Sequence, residues 1–136
     1  MKKLNDDRIS ERGAAGIKFL FVLLVLVLVG NAGINYVPVA YNGASFRQEM
    51  DTAVVKALGS SSRMKPVDIA TASIRKATLD HNLPEDAFIE ITPINGGVVE
   101  AHVIYTEKVN MLPFGLYKYD YNFDYVARPV GYLLKQ

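Results

Sequence analysis

Residues 14–34 read AAGIKFLFVLLVLVLVGNAGI, and the rest of the chain is best understood outward from that run. An α-helix rises about 1.5 Å per residue, so roughly 20 such residues cross the ~30 Å of hydrocarbon in a bilayer. Only Lys18 and Asn31 carry strongly polar side chains within it. Lys18 lies one turn from the start, where its aliphatic stem can carry the ammonium back to the headgroups. Asn31 lies near the opposite end, where burial is shallower. Residues 19–29 are apolar on every side, and a small domain has no interior wide enough to cover such a helix. The run therefore reads as a membrane span. A cleaved secretory signal is the nearer competitor, because it shares the basic start and apolar core. The run exceeds the ~7 to 15 residues of such a core, and the following NAGINYVPVAYNGAS has no clean small-x-small exit, leaving a cut near Ala44 as the alternative.

The charges around the span are asymmetric. Lys2, Lys3, Arg8, Arg12 and Lys18 precede or enter it against Asp6, Asp7 and Glu11, and no further charge occurs before Arg47. The positive-inside rule keeps the short N-terminus in the cytoplasm and sends the C-terminal part out, with Tyr36 and Tyr41 where an aromatic belt is expected. The organisation is a cytoplasmic basic segment over residues 1–13, a transmembrane helix over 14–37 and an extracytoplasmic α+β domain over 38–136.

The chain has 136 residues, 15 basic and 14 acidic, and a formal net charge of +1, which offers no basic face for nucleic acid. Its mean hydropathy of +0.12 is raised by the N-terminal third. There is no cysteine, so disulfides, thiolate metal sites and cysteine nucleophiles are excluded together.

Pro38 lacks a backbone donor, so the span is expected to kink or break there and resume as an amphipathic stem. Residues 45–58 place Phe46, Met50, Val54 and Leu58 on one stripe. Gly59 and the serines after it end that helix, and residues 59–65 are the least ordered expected segment. A second helix is expected over 66–81, with Pro66 at its first position, Asp68 in its first turn and Val67, Ala70, Ile74 and Ala77 inward. The period then changes to two. Strands are expected over 88–92, 98–108 and 117–126, the first two joined at Asn95-Gly96-Gly97. The second strand places Val99, Ala101, Val103 and Tyr105 on one face. In the third, YKYDYNFDYV, five aromatic residues (Tyr117, Tyr119, Tyr121, Phe123, Tyr125) alternate with polar ones, so its aromatic face should lie against the two helices. The fold class is α+β: a long N-terminal transmembrane helix, a second helix and a three-stranded antiparallel meander.

Residues that could carry chemistry are sparse. His81 and His102 are the only histidines and share no ligand spacing; helix-end and wet-strand positions account for them. Gly96-Gly97 is a hairpin turn, since no helix follows to make a phosphate cradle. Glu85 and Asp86 read as loop, and the tyrosine row as core packing. No catalytic residue, cofactor, metal ligand or small-molecule substrate is assigned. Two features suit partners. The connector Met111, Leu112, Phe114 and Leu116 is apolar where turns are usually polar, and it suits folding onto the core, lipid or a protein partner. Within the span, Gly30, Asn31, Gly33 and Asn35 combine small residues and amides, which favour close helix association in lipid, or else the amides reach interfacial water.

At residues 12–19, RGAAGIKF, the N-terminus resembles the class III signal segment of pilins, pseudopilins and TadE-like minor pilins. That resemblance implies a peptidase cut after Gly13, Ala14 as the mature N-terminus, and a long helix packed on an antiparallel sheet, with Pro38 at the helix's kink. Lys18 stands where that family carries a glutamate that neutralises a neighbouring amine; a lysine there brings like charges together in lipid. The layout of Arg12, Gly13, the apolar span, Val37, Pro38 and Tyr41 also resembles a family of small bacterial single-span proteins, which implies membership without implying an activity. The expected function is thus a non-catalytic single-pass protein of a bacterial inner membrane, anchored in membrane lipid, whose pilin-like outer domain binds other envelope proteins. The alternatives are a filament or pseudopilus subunit, associating with itself and pilus-type proteins, and an enzyme with a dispersed site.

Overall fold

The computed structural model describes the backbone of residues 7–60 and 63–129, with side chains from Gly13 onward. Residues 1–6 of the basic segment, residues 61 and 62 of the segment expected to be least ordered, and the chain from residue 130 onward lie outside the described residues. The first helix, α1, runs from Asp7–Gly59 over 53 residues with Pro38 inside it. Of the kink or break expected at Pro38, the break does not occur, and the stem expected over 45–58 is the C-terminal part of this one helix. Proline removes one helical hydrogen bond and crowds the carbonyl four residues back, which can cost ~3 kcal/mol. Contacts on both sides of Pro38 offset that cost: Tyr36 packs on the third strand before it, while Gly43 and Phe46 are buried after it.

The second helix, α2 (Pro66–Asp80), has proline in its first turn and Asp68 near its positive end, and it buries Ala70, Ile74 and Ala77. Three strands follow, β1 (Phe88–Pro93), β2 (Val99–Asn110) and β3 (Lys118–Ala127), in spatial order β1-β2-β3. Both pairings are antiparallel, with Phe88 opposite Ile104 and Tyr105 opposite Phe123. Between β1 and β2, Gly96 and Gly97 adopt φ of 78° and 79°, a left-handed conformation that side chains resist.

The core lies between the helices and one face of the sheet. Phe46, Met50, Val54, Ile74, Val103 and Phe123 are fully buried, each stabilising by roughly 1.5–3 kcal/mol relative to exposure. Phe46, Tyr105 and Phe123 pack as one aromatic group, with Tyr105 and Phe123 stacked at 4.7 Å and Phe46 edge-on to Phe123 at 5.6 Å.

Two expected faces are corrected. Leu58 is 44% exposed, and Ala53 and Ala57 complete the stripe instead. Twelve residues of helix carry a side chain about 120° away from Phe46, whereas eleven bring it back to within about 20°. On β3, Phe123 is buried and Tyr121 and Tyr125 are half-buried, but Tyr117 and Tyr119 are exposed. The strand outruns residues 45–58, and α2 packs over β1 and β2. Tyr119 and Tyr121 instead meet Tyr36, edge-on at 6.1 and 6.2 Å. The sheet therefore begins to engage α1 above Pro38, within the residues assigned from sequence to the span.

Candidate functional site

The helices cover one face of the sheet and leave the other open. Side chains alternate along a strand, so the open face carries the even-numbered residues of all three strands. Glu90, Thr92, Thr106, Lys108, Asp120, Asn122 and Asp124 fit a wet surface there. Phe88, Ile104 and Val126 do not, and they are 53%, 38% and 37% exposed. Phe88 sits directly opposite Ile104, and Val126 sits opposite His102, one step along from Ile104. His102 borders the group, edge-on to Phe88 at 6.4 Å and hydrogen-bonded through Nε2 to Asp124 at 2.7 Å. Thr106 donates to Asn122 on the next row at 2.9 Å. Phe88, Ile104 and Val126 thus form an exposed apolar band that crosses all three strands, flanked by polar side chains.

A second cluster joins the helices. His81, the residue after α2, turns its ring toward α1, where Nδ1 meets the Asn42 carbonyl oxygen and Nε2 lies 2.9 Å from Glu49. Asn42 Nδ2 donates to the His81 backbone carbonyl at 2.8 Å, which fixes the orientation of the amide. Both ring nitrogens thus face side-chain oxygens of α1. The ring also packs edge-on against Phe46 at 5.8 Å. This histidine clamps the end of α2 to the middle of α1.

A third group lies at the sheet's edge. The Arg47 guanidinium sits 5.1 Å from the ring centre of Tyr125 and 5.4 Å from that of Phe123. Tyr125 donates its hydroxyl to Asp51 at 3.0 Å. Burial, then the bond to Asp51, pushes the Tyr125 phenol up, and burial chiefly pushes Tyr105 up to about 12. Both phenols stay neutral and serve packing. Among the described residues, no three His, Cys, Asp or Glu side chains come together as a metal site.

The residues singled out in the sequence are dispersed along the molecule. Gly13 and Ala14 lie exposed within α1. A side chain at Gly30 or Gly33 would meet nothing within 4 Å, so that face is free. Asn31 and Asn35 are engaged within the chain: Asn31 Nδ2 donates to the Met111 carbonyl at 3.3 Å, and Asn35 Nδ2 donates to the Asn31 carbonyl at 3.0 Å. Met111 and Leu112 are half-buried, whereas Phe114 and Leu116 are 100% and 77% exposed. The structure therefore brings the apolar connector and the C-terminal end of the apolar run together. Phe88, Ile104 and Val126 were not singled out in the sequence. Their signal was available in Ile104, an apolar residue at the wet parity of β2. Asn42 and Gly43 carried no sequence signal.

Compared with protein-family models, curated proteins and solved structures, the chain shows no significant match.

Proposed function

We propose that the chain is a non-catalytic, single-span membrane protein whose pilin-like outer domain binds another envelope protein through the open face of its sheet. The observation that carries this reading is the exposed group of Phe88, Ile104 and Val126, with Phe88 opposite Ile104 and Val126 on the adjacent row, apolar where the strand pattern calls for polar residues. The anchor is supported by α1, whose apolar window has a mean hydropathy of 2.5 and no buried residue, so the fold itself offers that window no cover. Removal of the chain up to Ala44 would strip Tyr36, Asn42 and Gly43 from their contacts with β3 and His81, which argues for retention of the helix. The basic residues before the span favour an outward-facing domain. Because α1 enters the core without a linker, the sheet face keeps a fixed orientation relative to the span.

Site-specific photo-crosslinking in cells tests this reading. A photoreactive residue at Ile104 is expected to capture one membrane-fraction protein, the adduct disappearing with Phe88→Asp. A photoreactive residue at the exposed Ala72 of α2 should capture none. Equal capture from both positions, or capture unaffected by Phe88→Asp, contradicts the assignment.

A second reading, a filament subunit, is favoured by the way α1 packs on an antiparallel sheet through its C-terminal part and leaves its apolar N-terminal part bare for other copies. Mass spectrometry of the purified protein separates the two: a terminus at Ala14 supports the subunit, and an intact Met1 supports the anchor.

A further inference from the structure

The connector between β2 and β3 is closed at its base by Met111 and Leu112, whose amides donate to the Tyr117 carbonyl at 3.0 and 3.3 Å. Its tip, Pro113–Leu116, is a tight turn in which the Leu116 amide donates to the Pro113 carbonyl at 3.4 Å. At that tip Phe114 holds φ at 61°, a left-handed conformation that a bulky side chain resists, and its ring is fully exposed. Gly115 follows at φ of 69°. Leu116, at 77% exposed, completes an apolar point with no protein cover. In water such a point is unfavourable on both counts, backbone and surface.

The position of this point along α1 identifies its surroundings. Asn31 binds the Met111 carbonyl, and Asn31 precedes Ile34, the end of the apolar run, by three residues, or about 5 Å of helix. A loop attached at Asn31 therefore sits at the depth where the span leaves the hydrocarbon. Asn31, Asn35, Asn110 and Lys118 line a recess beside the tip, supplying amides and an ammonium at headgroup level.

We propose that Phe114 and Leu116 insert into the leaflet on the domain's side, so that the domain is attached to one membrane twice, through α1 and through this wedge. Its occupant is phospholipid at the boundary of headgroup and acyl chain. A second attachment point restrains the tilt of α1 in the bilayer and so sets the angle at which Phe88, Ile104 and Val126 stand to the membrane plane. The inference rests on the reading of α1 as a membrane span.

The chain contains no tryptophan, so single substitutions give clean reporters. Phe114→Trp, Leu24→Trp and Leu79→Trp are compared in the full chain reconstituted into phosphatidylcholine and phosphatidylglycerol vesicles, with and without brominated phosphatidylcholine. Leu24 is an exposed residue of the apolar run and Leu79 an exposed residue of α2. Expected are blue-shifted emission and quenching by the brominated lipid at 24 and 114, with quenching only by aqueous acrylamide at 79. Lipid quenching at 24 with acrylamide quenching at 114 overturns the wedge and leaves the span standing. A blue shift at 114 that neither quencher affects places the tip against protein and overturns the lipid assignment, and equal lipid quenching at 114 and 79 overturns a localised wedge. Loss of lipid quenching at 24 overturns the span and, with it, the wedge.

Discussion

The hydroxyl of Tyr121 stands over Gly43 so closely that a Cβ on that glycine would lie 2.5 Å from it, with the ring carbons at 3.2 and 3.3 Å. Gly43 is thus a notch in α1 that receives β3, next to the Tyr36 edge contact at 6.2 Å. A glycine inside a helix is worth about 1 kcal/mol less than alanine, so its presence here reflects packing and not propensity.

Gly43→Ala should accordingly destabilise by about 1–3 kcal/mol despite the gain in helix propensity, as judged by urea unfolding in detergent. Adding Tyr121→Phe removes the clashing oxygen, so the double variant should recover stability relative to Gly43→Ala alone. Independent, additive losses would mean that the two residues are not in contact.

Phe46→Ala should cost about 3–5 kcal/mol, because it opens a hole between Tyr105, Phe123 and the His81 ring. Leu79→Ala, on the exposed side of α2, should change stability by less than about 0.5 kcal/mol. Similar losses for the two would place the core elsewhere.

Asn42→Ala removes both the acceptor facing His81 Nδ1 and the donor to the His81 carbonyl. The expected loss is about 1–3 kcal/mol, with earlier proteolysis at the 59–65 loop as α2 loosens from α1. An unchanged unfolding midpoint and an unchanged digestion pattern would remove the clamp from the account.

Alkaline stability should report on Tyr105. Its phenol is pushed up from 10.0 to about 12, so folding favours the neutral form. Below pH 10 both states hold that proton and the contribution is complete. From about pH 10 to 12 the unfolded chain releases it and the folded chain does not, so stability falls as pH rises. Tyr105→Phe should flatten that fall and delete the last component of the phenolate absorbance titration; an unaltered alkaline profile contradicts the assignment.

The sheet was legible in the sequence because its signals are local: period-two alternation in 98–108 and 117–126, and two glycines at a turn that needs positive φ. The apolar run likewise follows from length and composition alone. The continuity of α1 through Pro38 was not legible, since a proline's local cost is offset by contacts with Tyr119, Tyr121 and the core that only the assembled fold supplies. Asn31 and Asn35 read as helix-association residues because a chain's own loop, 80 positions away at Met111, leaves no mark on their spacing. Gly43 had no signal because an isolated glycine in a helix has no partner until β3 is in place.

One unbroken helix, Asp7–Gly59, carries the chain from the apolar run into the core and so holds the sheet rigidly to that run. Residue-resolved amide hydrogen exchange of the full chain in phospholipid nanodiscs tests it most directly, at the non-proline positions 35–44. The account predicts slow exchange throughout that segment, comparable to residues 46–57 in the core. Fast exchange confined to 37–44, between a protected span and a protected domain, would show a flexible joint at Pro38 and contradict the claim.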